Sequence, residues 1–171
     1  KPFSNNALVD RIEQALALCD KRGFDRPRGS QPSYSLLQRD IEERVMPLCH
    51  ANGIGQVVYS PLAQGILTGK YKPGQPLPPG SRGSDDRQNQ FIKSRLDDQQ
   101  LLARVQQLEP IAREQGCTMA QLALAWILRR PEVSSCIVGA TKISQLEDNA
   151  AASGIPLSAE TIAKMEAALA G

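Results

Sequence analysis

Two stretches of the 171-residue sequence carry residue types suited to gripping a phosphorylated ligand. The first reads Tyr59-Ser60-Pro61-Leu62-Ala63-Gln64-Gly65, then Thr68-Gly69-Lys70-Tyr71, and leads to Arg82. Small residues and glycine let backbone amides approach phosphate oxygens, and Lys70 and Arg82 can neutralise the charge. Tyr59 can offer its ring face to a flat heterocycle. The second stretch runs Gly139-Ala140-Thr141-Lys142 directly into a helix. The free amides of a helix N-terminus, with a lysine beside them, favour an anion. Gln145, Asp148 and Asn149 follow at i, i+3 and i+4, so they share one helix face that could read the edge of an adenine. Either stretch alone also reads as solvated surface. Their occurrence together points to a ligand that carries phosphate.

Other chemistries find less support. The net charge is +2, with 41% apolar and 22% charged residues, 13 Gly and 12 Pro. That composition is globular and excludes disorder, collagen-like repeats and coiled coils. Lys70 to Arg95 holds six basic residues against Asp85 and Asp86, a local charge of +4. Nearly devoid of aromatics, it lacks the stacking rings of a nucleic-acid groove and suits a small anion better, a solvated loop being the alternative. No apolar run approaches the roughly 18 residues of a membrane span, and the start lacks a signal peptide's apolar block. Cys19, Cys49, Cys117 and Cys136 are widely spaced, without C-x-x-C or a histidine pair. Zinc and a disulfide scaffold are thus disfavoured against reduced, buried thiols in a cytoplasmic protein. His50, the only histidine, sits at an apparent helix end, where a cation is favourable without any catalytic role.

The elements that must position these residues follow from periodicity and punctuation. Asn6 to Arg22 reads as a helix with Leu8, Ile12, Ala15, Leu16 and Cys19 inward and Gly23 as its stop. A short extended stretch is expected over Gln31 to Tyr34, then a helix over Gln38 to Asn52 broken at Pro47. Ile54 to Ser60 and Ser134 to Gly139 are short, β-branched, buried strands. Between them lie a long loop over Lys72 to Gln90, helices over Ser94 to Gln115 (broken at Pro110), and Thr118 to Arg130. Capping boxes are expected at Thr118-x-x-Gln121 and Ser144-x-x-Glu147, and Ser158 should cap a last helix. Strands separated by helices require a parallel sheet, which fits an open doubly wound sheet or a (β/α)8 barrel. In both, ligands gather at the carboxyl ends of the strands, where the two stretches fall. No G-x-G-x-x-G occurs, and Gly65 to Lys70 is one residue short of a Walker A loop, with Tyr71 in place of its Ser or Thr.

At these residues the sequence resembles the aldo-keto reductases, especially the group related to potassium-channel β-subunits and their bacterial relatives. The matching stretches are Gln31 to Leu37, Tyr59 to Tyr71, Ala123-Leu124-Ala125-Trp126 and Gly139 to Asn149, in family order along nearly the whole chain. The resemblance implies a (β/α)8 barrel that binds NADP(H), with Gln31 on the carboxamide and Tyr59 stacked on the nicotinamide. It implies Ser60, Leu62 and Lys70 around the pyrophosphate, and Arg82, with Thr141 nearby, on the 2′-phosphate. Gln145, Asp148 and Asn149 would take the adenine side, Ser4-Asn5 would be a further carboxamide contact, and Pro61, Gln64, Gly139 and Lys142 would be among the cofactor-binding residues.

The family's chemistry is hydride transfer between nicotinamide and a carbonyl, with a Tyr acid whose pKa is lowered by Lys and supported by Asp and His. No residue here matches that tetrad, and Tyr34, Tyr59 and Tyr71 fall on other family positions. A complete barrel takes about 250 residues. The expectation is therefore one domain over residues 1–171, about the C-terminal four βα units of an incomplete barrel, the cofactor-binding half of a cytoplasmic NADP-dependent enzyme. Its partners would be a small carbonyl substrate in the complete enzyme and a missing N-terminal half or further copies, with neither nucleic acid nor membrane. A non-catalytic nucleotide-binding or assembly half-barrel is the alternative, and a flavin-binding α/β protein a third.

Overall fold

The computed structural model describes residues 5–170. Helix α1 (Asn5–Arg22) leads to strand β1 (Gly29–Ser30), a 3-10 turn (Asp40–Glu42), helix α2 (Val45–Ala51) and strand β2 (Gly55–Tyr59). A 3-10 segment (Ala63–Thr68) and two further turns precede helices α3 (Lys93–Asp97), α4 (Gln99–Gln106), α5 (Leu108–Glu114) and α6 (Met119–Leu128). Strand β3 (Val133–Ile137), helix α7 (Ile143–Ala150) and helix α8 (Ala159–Leu169) complete the order. The strands form one parallel sheet in the order β1-β2-β3, as the alternation of strands and helices requires.

Paired residues reveal the two faces of the sheet. Val58 lies beside Cys136 and faces the helices, where Val58 and Gln56 are fully buried. Val57 pairs with Ser135 and Tyr59 with Ile137 on the opposite face, which is open: Tyr59 is 40% and Ile137 43% exposed. Helix α2 packs on β2 and α6 on β3, while α1 covers α2 and α7 lies against α6.

Helix α6 is the centre of the core because it is apolar all round, with Leu122 through Ile127 buried. The Tyr34 ring lies 5.5 Å from that of Trp126, and the guanidinium groups of Arg39 and Arg129 stand 4.9 and 4.0 Å from the Trp126 ring centroid. Arg39 is fixed by ion pairs of 2.9 Å to Glu42 and to Glu166, and the Tyr34 hydroxyl donates to Glu42 at 2.6 Å. Burial pushes the Glu42 carboxyl up, but the hydrogen bonds from Arg39 and Tyr34 outweigh it and hold it below the usual range.

Several local expectations are corrected. Pro47 and Pro110 break nothing, because each occupies the third position of its helix, where a missing N–H costs no intrahelical bond. The breaks fall at Arg44, Asp98 and Gln107 instead. Asp98 caps α4 by accepting from the Leu101 amide. Ala15 is exposed and Val9 is the buried residue of its turn. The short strand lies at Gly29–Ser30, one step before Gln31, with an isolated bridge from Ser33 to Tyr59 prolonging the pairing. The Thr118–Gln121 box forms and Ser158 caps α8, but Ser144 caps nothing. Helix α7 begins two residues earlier, with Lys142 at its N-cap, and Gln145 reaches back to the Thr141 amide.

Candidate functional site

A cleft of about 1160 Å³ opens at the carboxyl ends of β2 and β3, and both candidate stretches line it. Tyr59, Ser60, Pro61, Leu62, Gln64 and Lys70 come from the first tip, and Arg82 from the loop beyond it. Gly139, Thr141, Gln145, Asp148 and Asn149 come from the second. Lys142 and Gln31 are exposed and do not line it. Gln31 stands just before Pro32, whose carbonyl accepts the Tyr59 N–H at 3.0 Å. Asn5 opens α1, and Ser4 lies outside the described residues.

The first tip is built from strained backbone. Among the described residues, the non-glycine positions with positive φ are Ser60 (56°), Ala63 (48°) and Gln64 (61°), of which Ser60 and Gln64 line the cleft. Each costs on the order of 1–3 kcal/mol, and such strain gathers where geometry serves a ligand. The Gln64 amide donates to the Ser60 hydroxyl at 2.8 Å, and Thr68 donates to the Gly65 carbonyl at 2.8 Å. At Gly65 (φ 97°) a Cβ would stand 3.0 Å from Lys70 Nζ, so a side chain there would drive the ammonium out.

The cations are available. Lys70 and Arg82 are exposed, and neither has an ion pair within 4.0 Å among the described residues. Lys70 Nζ rests 5.2 Å from the Tyr71 ring centroid. Tyr59 ends β2 on the open sheet face, with its carbonyl accepting from the Tyr34 amide, so the backbone is fixed while the ring faces the cleft.

The second tip arrives partly occupied. Gln145 Oε1 accepts both the Thr141 amide (2.9 Å) and its hydroxyl (3.2 Å), which leaves the Gln145 –NH2 to donate outward. The Asp148 carboxylate accepts from the Thr118 hydroxyl at 3.2 Å, and Gln121 donates to the Asp148 carbonyl. The start of α6 thereby fixes the polar face of α7. Thr118 and Ala120 also line the cleft, as do Asp85, Asp86, Arg87 and Gln88. The sequence marked Thr118 as a helix cap but held no sign that the start of α6 meets Asp148 in the second half of α7. Asp85 to Gln88 lay inside the long basic loop, whose length was the available signal. No group of three or more His, Cys, Asp or Glu residues able to hold a metal occurs among the described residues.

Two neighbouring strand tips of one parallel sheet bring strained backbone, and two cations without an ion pair among the described residues, to one cleft. The aldo/keto reductase family profile matches residues 3–170, and the chain belongs to that family. It is 39% identical over 163 residues to a probable voltage-gated potassium channel subunit beta from Oryza sativa subsp. japonica, covering 93% of this chain and 49% of that protein. It is 41% identical to a protein of the same description from Arabidopsis thaliana, covering 82% and 43%. An NADH-specific methylglyoxal reductase from Escherichia coli is 39% identical, covering 75% and 37%. The chain thus spans less than half the length of these curated relatives.

Proposed function

We propose that this chain is the cofactor-gripping part of an NADP(H)-dependent aldo-keto reductase whose complete form reduces aldehydes or ketones to alcohols. The supporting observation is the convergence of the two strand tips on one cleft, with Lys70 and Arg82 unpaired on one wall and the Thr141–Gln145 pair on the other. The residues fit the dinucleotide: Tyr59 has an exposed ring for the nicotinamide, Ser60, Leu62 and Lys70 surround the pyrophosphate, and Arg82 takes the 2′-phosphate. Asp148 and Asn149 take the adenine amine, and the Gln145 amide donates to an acceptor beside it. When bound, the cofactor supplies a hydride. This chain's contribution is to hold and orient it, and the proton-donating tetrad is assigned to the part of the relatives that this chain does not match.

In this reading the parallel sheet is a segment of a (β/α)8 barrel, and the open face carrying Val57, Tyr59, Ser135 and Ile137 is barrel interior. Alone, the chain binds the dinucleotide weakly and is catalytically inactive. One relative's name carries NADH, so the choice between cofactors rests on Arg82. Titration of the isotope-labelled chain with NADPH, followed by amide NMR shifts, tests the site. Shifts concentrated at Ser60, Lys70, Gly139 and Thr141 are expected, and a lack of response at millimolar NADPH would end the reading. Carbonyl-dependent NADPH oxidation by the purified chain would overturn its inactivity. The same open face favours a second reading, a non-catalytic half-barrel that assembles with another half or with copies of itself. A sedimenting monomer at all concentrations would count against it.

A further inference from the structure

Lys70 and Arg82 reach the cleft from opposite ends of a loop that contains Pro73, Pro76, Pro78 and Pro79. Between them stands Tyr71, only 1% exposed, although it carries a hydroxyl. That hydroxyl accepts the buried Gly83 N–H at 3.0 Å, within the single 3-10 turn Arg82–Ser84. Gly83 fits so closely that a Cβ there would stand 2.8 Å from Tyr71 Cε1. The Tyr71 ring also lies beneath Lys70 Nζ at 5.2 Å. Gln106 Nε2 completes the mount by donating to the Gly69 and Tyr71 carbonyls, 3.1 Å each, on either side of Lys70.

We propose that Tyr71 is a positioning residue that locks the two cleft cations to each other, its ring seating Lys70 and its hydroxyl seating the turn that presents Arg82. This rests on the cofactor reading above and deepens it: discrimination of NADPH from NADH depends on a buried phenol that touches no ligand. An apolar ring would fill the same space, so packing alone does not require the hydroxyl. A buried N–H without an acceptor is costly, which makes Tyr71 the group that decides whether the Arg82 turn closes. Free rotation of the loop's returning end would cost Arg82 its aim, since a guanidinium grips phosphate through fixed geometry.

The test is a double-mutant cycle on the 171-residue chain, with dissociation constants for NADPH and NADH read from NMR titration. Tyr71→Phe keeps the ring and removes the acceptor. It should weaken NADPH about tenfold and leave NADH nearly unchanged, the factor expected when a buried N–H loses its partner. In an Arg82→Ala background, Tyr71→Phe should change neither constant. Gly83→Ala, which forces the turn off the ring, should reproduce the selective loss. The ratio of the two constants is the decisive readout, because a purely structural role would move both together. If Arg82→Ala shifts the ratio but Tyr71→Phe and Gly83→Ala leave it at the wild-type value, the coupling is wrong and the cofactor reading survives. A ratio untouched by Arg82→Ala overturns the role of Arg82 and the coupling with it, and an absence of any NADPH binding overturns both.

Discussion

Gly69 joins the two walls of the cleft, and Gly69→Ala should reveal how tightly. This residue ends the Ala63–Thr68 segment with φ at 75°, and its amide donates to the Ile66 carbonyl at 3.2 Å. An alanine would meet two separate penalties. The left-handed conformation costs a residue with a Cβ about 1 kcal/mol. The new methyl would also fall well inside contact distance of Met119 Sδ and stand 3.0 Å from Met119 Cε, at the buried first turn of α6. Overpacking of this kind adds roughly 1–3 kcal/mol, so the single variant should lose about 2–4 kcal/mol. In a Met119→Ala background the overlap disappears and only the conformational penalty of about 1 kcal/mol should remain. Urea unfolding reads this cleanly, because the only tryptophan, Trp126, is fully buried in α6 and reports the core by fluorescence. An equal loss in both backgrounds would refute the packing of the Gly69 turn against α6.

Lys70→Ala should weaken NADPH and NADH by the same factor, about 10- to 100-fold, since both share the pyrophosphate; titration with each ligand checks this, and a loss confined to NADPH would reassign Lys70. Glu42→Gln should cost about 1–2 kcal/mol at pH 7, because it weakens the charge-assisted bonds from Arg39 and Tyr34. The Glu42 carboxyl is depressed in the folded chain, so its contribution is present above its ordinary value near 4.5 and lost as pH falls through the lower folded value. Urea midpoints from pH 7 to pH 3 should therefore fall less steeply in the variant than in the parent. Burial pushes the Cys136 thiol up to about 11. A thiol reagent at pH 8 should therefore modify it slowly until denaturant is added, and rapid labelling in the native chain would contradict its place on the side of β3 that packs against the core.

Most of the cleft-lining residues were legible because they follow the strands in sequence. A β-branched run bounded by Gly and Pro fixes where a strand ends, and in a parallel sheet that end is where a ligand sits. Tyr59, Lys70, Gly139 and Thr141 could thus be assigned to one end of the sheet before any contact was known. Residues whose role depends on another segment were not legible. Thr118 meets Asp148, and Tyr71 meets Gly83, only because separate turns are folded onto one another. The prolines misled for a related reason: a Pro signals a break only if its N–H would have been bonded, and that depends on where the helix starts.

The sequence by itself determined the alternation of strands and helices, the apolar character of α6 and the end of the sheet at which the cleft-lining residues collect. These depend on periodicity, capping and conformational preference, all local along the chain. Tertiary structure alone decided that Gln145 turns its carbonyl inward to Thr141 and its amide outward, and that Arg82 is carried on a turn hung from Tyr71. The physical reason is that a hydrogen-bonding side chain takes its orientation from whichever partner folding brings within about 3 Å, and no spacing rule encodes that partner.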